Sequence, residues 1–235
     1  MAEDSTAAIS AAQIPTAGIP APEISAPRIP APGMPNLIAG ALPLDFVNTV
    51  DPRHEPGRRE YLDSYQALVW WGRHAGIIGA DAEAGLRQAA AADPAEADRV
   101  LRRAVRLREA LYPVFTEAAS GREPSAADLA VLQAELTGAL AHIRLAAAPG
   151  GFGWDWEEAA GWLDRVLWSV SWSAADLLVQ GPLERIRECP GQDNCGWLFL
   201  DLTKNASRRW CDMRACGNRA KARRHYARRQ EAGPA

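Results

Sequence analysis

All four cysteines of this 235-residue chain fall in its last 47 residues, in the order Cys189-x5-Cys195-x15-Cys211-x4-Cys216. Two close pairs separated by a longer loop are the layout of a structural zinc site. Each pair supplies two thiolates from a turn, and the loop brings the pairs together as a tetrahedron. Turn formers surround the first pair (Pro190, Gly191, Asp193, Asn194 and Gly196), and Gly217 follows the second. The segment's own apolar set, Trp197, Leu198, Phe199, Leu200 and Trp210, is too small to fold alone. Metal binding would supply the missing stability. Two disulfides or four inert buried thiols are the competing readings, and a redox-sensing zinc site is a third.

The compartment bears on that choice. The N-terminus, MAEDSTAAIS, has no basic region before an apolar run, so a secretory signal is not expected. No apolar run approaches the roughly 20 residues that span a bilayer. A cytoplasmic protein with reduced thiols and no membrane partner is the expectation, which favours metal over disulfides.

The formal net charge of -3 hides an asymmetry. Between Asp201 and Gln230 there are ten basic residues against two acidic ones, a net of +8; the rest holds 16 against 27, a net of -11. An acidic body thus carries a basic, anion-seeking end.

Residues 1–36 repeat a loose Ile-Pro-Ala-Pro theme and hold seven of the 17 prolines. Proline fixes φ and removes backbone donors, so this stretch is predicted to be an extended, disordered tail, either simply solvated or a polyproline ligand. With 48% hydrophobic residues, the remainder can build a real core. Tyr61, Tyr65, Leu68 and Val69 have helical spacing. In the next helical pattern, Leu101, Ala104, Val105, Leu111 and Phe115 make one stripe. Pro113 within it predicts a kink, and Gly121 is its stop. Ser125 and Asp128 form a variant capping box before a helix whose predicted buried face is Leu129, Leu132, Leu136, Leu140 and Ile143. Gly150-Gly151 between short apolar runs reads as a β-hairpin. A last body helix is predicted from about Glu157 to Val179. Most of the nine tryptophans fall in or beside these elements. Core packing is the plain reading for them and an aromatic-lined ligand pocket the sharper one.

After Cys216 the chain reads GNRAKARRHYARRQ, with Asn218 as the predicted N-cap of a strongly basic helix. Such a helix repels itself unless an anion neutralises it, and phosphate backbones are the obvious anion. Lys204, Arg208, Arg209 and Arg214 add charge upstream, and Lys221, Arg223, Arg224 and Arg228 follow on the helix. A solvated basic tail is the competing reading, weakened by fusion of the run to a folded module.

The segment "CGWLFLDLTKNASRRWCDMRACGNRAKARRHYARR" resembles the CGNR zinc finger, named for a Cys-Gly-Asn-Arg signature that here is Cys216 to Arg219. The stretches "LPLDFVNTVD", "VLRRAVRLREALY" and "WSAADLL" are similar to the ABATE domain that accompanies it. The resemblance covers residues 37–230 and implies a bacterial, stress-linked transcription regulator. It implies a mainly α fold: an ABATE-like helical domain with a small β-hairpin over 37–182, then a small finger with a basic helix over 183–230. It implies Zn2+ on Cys189, Cys195, Cys211 and Cys216, and nucleic-acid contact from the segment containing Arg208, Arg209, Asn218 and Arg219. The first cysteine pair is separated by five residues where the family usually has four, so a bulged first turn is expected.

Asp45, Asn48, Thr49 and the nearby Asp51 are candidates for an effector pocket, or equally for caps and turns. His54, His74 and His142 have no metal partner at i+4. No G-x-S-x-G, phosphate-cradling glycine loop or H-E-x-x-H pattern is present, so a non-enzyme is expected. The function expected is a zinc-dependent DNA-binding regulator with a small-molecule or partner sensor. An RNA-binding or ribosome-associated factor comes second, and an enzyme acting through the helical body third.

Overall fold

The structure, a computed structural model, describes residues 33–231 except 55–56, 149–150, 158–160 and 192–194. The predicted tail lies outside the described residues save for its last four. Those four belong to the folded unit: the Gly33 carbonyl accepts from Arg59 Nη2 at 3.0 Å, and the Pro35 carbonyl lies 3.1 Å from His74 Nε2.

The described residues are mainly helical, with seven α-helices and three two-stranded antiparallel sheets. Helix α1, Leu42–Val47, is short and buried along its whole length, so other elements are built around it. A two-residue strand β1, Val50–Asp51, pairs with β2, Arg59–Glu60. Helix α2, Tyr65–His74, begins at Ser64, whose hydroxyl accepts from the Ala67 amide. Phe46 of α1 meets Trp71 of α2 edge-to-face, ring centroids 5.1 Å apart. Helix α3 spans Ala80–Ala92.

Helix α4, Pro94–Ala119, is the long strut of the body. Asp93 caps it and Pro94 occupies its first turn, where proline loses nothing. It runs through Pro113 without interruption. It ends as predicted at Gly121, which takes a positive φ of 67°. The Gly121 amide donates to the Ala118 carbonyl and Arg122 to Glu117, closing the last turn. Its buried stripe is Val100, Ala104, Leu107, Leu111 and Phe115, with Leu101 and Val105 only partly covered. Arg108 is fully buried in the same face. Its Nη2 donates to Glu60 Oε2 at 2.7 Å and to Glu109 Oε1 at 2.8 Å. Burial works to raise the Glu60 carboxyl, but hydrogen bonds and charge from Arg108 outweigh it and hold the carboxyl below its ordinary value.

Helix α5, Ala126–Leu140, starts at the predicted cap, Ser125, which accepts from the Asp128 amide. Its predicted apolar face is corrected. Leu129 and Leu140 are 36% and 44% exposed, while Glu135 and Ala139 are buried beside Leu132. The rotation follows charge: Arg103 of α4 donates to both Glu135 oxygens and to Asp164. The predicted hairpin forms as β3, Ile143–Ala148, and β4, Gly151–Trp156, with its turn outside the described residues. Helix α6, Arg165–Gln180, starts later than its periodicity suggests, after a turn that buries Leu163. Trp71, Trp156, Trp168 and Trp172 are buried, so these four follow the core reading. Among the described residues, no helix is long and apolar enough to cross a membrane.

Candidate metal centre and nucleic-acid interface

The C-terminal unit begins with β5, Ile186–Glu188, which pairs with β6, Leu198–Leu200. Cys189 follows β5 immediately and Cys195 precedes β6, so the hairpin places the first pair. Cys211 precedes, and Cys216 lies within, a wide π-helical turn, Met213–Gly217, that leads into α7, Asn218–Glu231. The four Sγ atoms lie within 4.8 Å of one another, and all four cysteines are buried.

Cys195 to Cys211 and Cys211 to Cys216 each measure 3.7 Å between sulfurs. A disulfide requires about 2.05 Å. Thiolates placed tetrahedrally around an ion at ~2.3 Å stand ~3.8 Å apart. The four thiols are free and set at metal-site spacing, so the residues fit a tetrahedral ion.

The electrostatics agree. Hydrogen bonds from the Cys195 and Cys211 thiols, backed by backbone amides of Cys211 and Gly191, push the Cys189 thiol down to about 2. The bond to Cys189 raises the Cys195 and Cys211 thiols, and burial foremost raises that of Cys216. Four thiolates this close together in a buried cluster require a cation. Glycine at 191 is a matter of space: a Cβ there would stand 2.8 Å from Cys195 Cβ and 3.0 Å from Cys216 Sγ. At Gly217, the Gly of the signature, a Cβ would stand 2.6 Å from Met213 Sδ and 3.2 Å from the Trp210 ring.

Strand β6 is buried on both faces. Leu198 and Leu200 enter the core of the helical body, while Trp197 and Phe199 pack against the cysteines. The body completes the junction with polar contacts. Asn48 Nδ2 donates to the Leu198 carbonyl at 2.8 Å, and Asn48 Oδ1 accepts from the Leu198 amide at 2.9 Å. Trp197 Nε1 donates to the Val50 carbonyl, Leu200 to Ala39, and Arg53 to Cys195.

Two family profiles match the chain, in this order. One, the ABATE family described as "Putative stress-induced transcription regulator", covers residues 40–181; the other, the CGNR zinc finger, covers residues 185–229. The first alone spans more than half the sequence. The chain belongs to the ABATE family. A search of curated proteins finds no match. Neither matched family is an enzyme family.

Within this ABATE-CGNR pair, three sequence candidates make hydrogen bonds inside the protein. Asp45, Asn48 and Thr49 are buried. Asp45 accepts from the Ala39 amide, Asn48 acts as the strand partner of Leu198, and Thr49 donates to the Phe46 carbonyl. The polar atoms of these three are thus engaged inside the protein. Asp51, two residues on, does face open space. It lines a cleft of about 330 Å³ between body and finger, shared with Tyr61, Trp197, Asp212 and Arg219. Burial raises the Asp51 carboxyl, with Arg219 and Arg59 pulling the other way.

Arg208 is likewise committed internally. Its guanidinium donates to the carbonyls of Ile38 at 2.9 Å and Trp210 at 3.1 Å, donates also to that of Cys211, and lies 4.5 Å over the Phe199 ring. The N-cap expectation for Asn218 is corrected too. Asn218 is already helical, and its Nδ2 donates to the Arg214 carbonyl. The cap is Asp212, which accepts from the Arg214 amide at the start of the wide turn. Arg209, Arg214, Arg219, Lys221 and Arg223 are all exposed. Arg224 and Arg228 lie on α7, but their side chains fall outside the described residues. From Asn218 to Ala227 the described side chains of α7 are exposed, Ala220 excepted, and Tyr226 is 64% exposed. A helix polar all round gains little from packing. The cysteine cluster at its root fixes it in place.

Proposed function

We propose that this protein is a zinc-dependent regulator that binds duplex DNA through its C-terminal unit and senses a small molecule or partner through its helical body. The observation that carries the reading is the rooting of a solvent-exposed basic helix in four buried thiols set for a tetrahedral ion. Four sulfur ligands suit zinc, which when bound supplies the charge and the tetrahedral link. The chain's own residues do the rest. Cys211 and Cys216 hold the first turn of α7, and Gly217 lets that turn lie against Trp210. Arg219, Lys221 and Arg223, with Arg224 and Arg228 further along, meet phosphates. Arg209 and Arg214 extend the positive surface around the metal unit. Arg208 holds the finger to the body and stays out of the interface.

A competition experiment tests the choice of nucleic acid. Zinc-loaded full-length protein is offered labelled genomic duplex fragments against structured RNA of equal charge. Retention of duplex with a selected subset of sequences is the expected result. Displacement of all duplex by RNA overturns the DNA reading.

A further inference from the structure

The cleft between body and finger joins two charged groups from different parts of the chain. Asp51 comes from β1 of the body, and Arg219 stands in the first turn of α7. The Arg219 charge acts on the Asp51 carboxyl across the opening. A second carboxylate, Asp212, stands on the finger side beside Cys211, with the Tyr61 ring on the body side and Ile38 and Trp197 as apolar wall. The cleft, of about 330 Å³, is bounded at its inner end by Cys195, Cys211 and Cys216 of the metal centre, so the ligand space is the part between Asp51 and Arg219 outside the cysteines.

Charge complementarity narrows the class of ligand. A simple anion that takes Arg219 leaves Asp51 half-buried with its main counter-charge diverted, and a simple cation does the reverse. A molecule carrying both charges a few ångströms apart satisfies both walls. An apolar branch between the charges meets Ile38 and Trp197.

We infer that this cleft is a binding site for a small zwitterion of amino-acid size, its ammonium against Asp51, its carboxylate against Arg219 and an apolar side chain on Trp197. The inference deepens the reading of the body as a sensor and rests on it. A bound zwitterion bridges β1 to the root of the basic helix, so occupancy reaches the nucleic-acid surface through Arg219 itself.

The test contains no nucleic acid, so its failure is distinct from failure of the DNA reading. Each standard amino acid is titrated into zinc-loaded full-length protein by saturation-transfer NMR and calorimetry. At least one apolar amino acid is expected to bind, while its N-acetyl and methyl-ester forms bind at least about tenfold more weakly. Asp51→Asn and Arg219→Gln should each weaken binding by about tenfold while keeping zinc and helix content. Should Arg219→Gln lose metal, Asp51→Asn alone decides. No binding by any amino acid, equal binding of the blocked forms, or binding unchanged in Asp51→Asn overturns the inference.

Discussion

The helical body and the C-terminal finger reach order by different routes. In the body, one apolar cluster runs from Ala39 through Phe46, Trp71, Leu107 and Phe115 to Leu177, and it closes around α1. In the finger, the buried members of the second cluster other than cysteine are Trp197 and Phe199. Ile186, Leu198 and Leu200 of the finger are lent to the body's core. Burial of apolar surface, at roughly 25 cal/mol per Å², is enough to fold the first region and not the second. The finger therefore depends on thiolate chemistry at one end and on the body's Asn48, Val50 and Ala39 at the other. An isolated finger is therefore expected to bind nucleic acid more weakly than the whole chain. Cut from the body, β6 loses the packing of one of its two faces.

The largest effect expected from breaking this contrast is at the metal. Cys211→Ser should release the ion and unfold the finger while most of the helix signal remains, because structural zinc sites contribute on the order of 10 kcal/mol to folding. Elemental analysis and circular dichroism together read this. Retention of stoichiometric metal, or collapse of the whole helix signal, breaks the distinction between the regions.

Trp71→Ala is the mirror experiment. It removes a fully buried ring from the body and should cost about 3–5 kcal/mol by urea denaturation. The folded variant should still hold its metal.

Asn48→Ala probes the seam. It orphans the amide and carbonyl of Leu198, and about 2–3 kcal/mol should be lost from both regions together. Separate melting of finger and body in this variant, where the parent melts as one, would sharpen the comparison further.

Glu60→Gln weakens the buried pair with Arg108 and should cost about 2 kcal/mol near neutral pH. The Glu60 carboxyl sits below its ordinary value in the folded state, so the pair stabilises the fold above about pH 4.5 and this stabilisation is lost as pH falls through the lower folded value. Stability measured against pH should show a flatter acid limb in the variant than in the parent.

How much of this was legible in the sequence depended on distance along the chain. The cysteine cluster was readable because the spacing of the two cysteine pairs is local. The Asp93, Ser125 and Gly121 helix boundaries are local chemistry too, and Ser125 and Gly121 were placed correctly. The α5 face was misread because Leu129 and Leu140 fit a helical stripe, whereas Arg103, 32 residues before Glu135, sets the real orientation. Asn48 looked like a cap or a pocket residue, since its partner Leu198 lies 150 positions away. The cleft was invisible for the same reason: Asp51, Tyr61, Trp197 and Arg219 converge only in three dimensions. Asn218 was misread as a cap because a π-helical turn carries the helix back to Asp212.

The most direct test of the account is a salt titration of duplex DNA binding by fluorescence anisotropy, on the full chain with zinc. If about five side chains of the basic end contact phosphates, log affinity should fall against log salt with a slope of about -4 to -5. The Arg223→Ala, Arg224→Ala double variant should bind every sequence more weakly, with a slope reduced by up to about 2. Chelation of the metal should weaken binding in step with loss of finger structure. Binding indifferent to salt, or undiminished after chelation and removal of both arginines, would contradict the claim that a metal-rooted basic helix is the nucleic-acid surface.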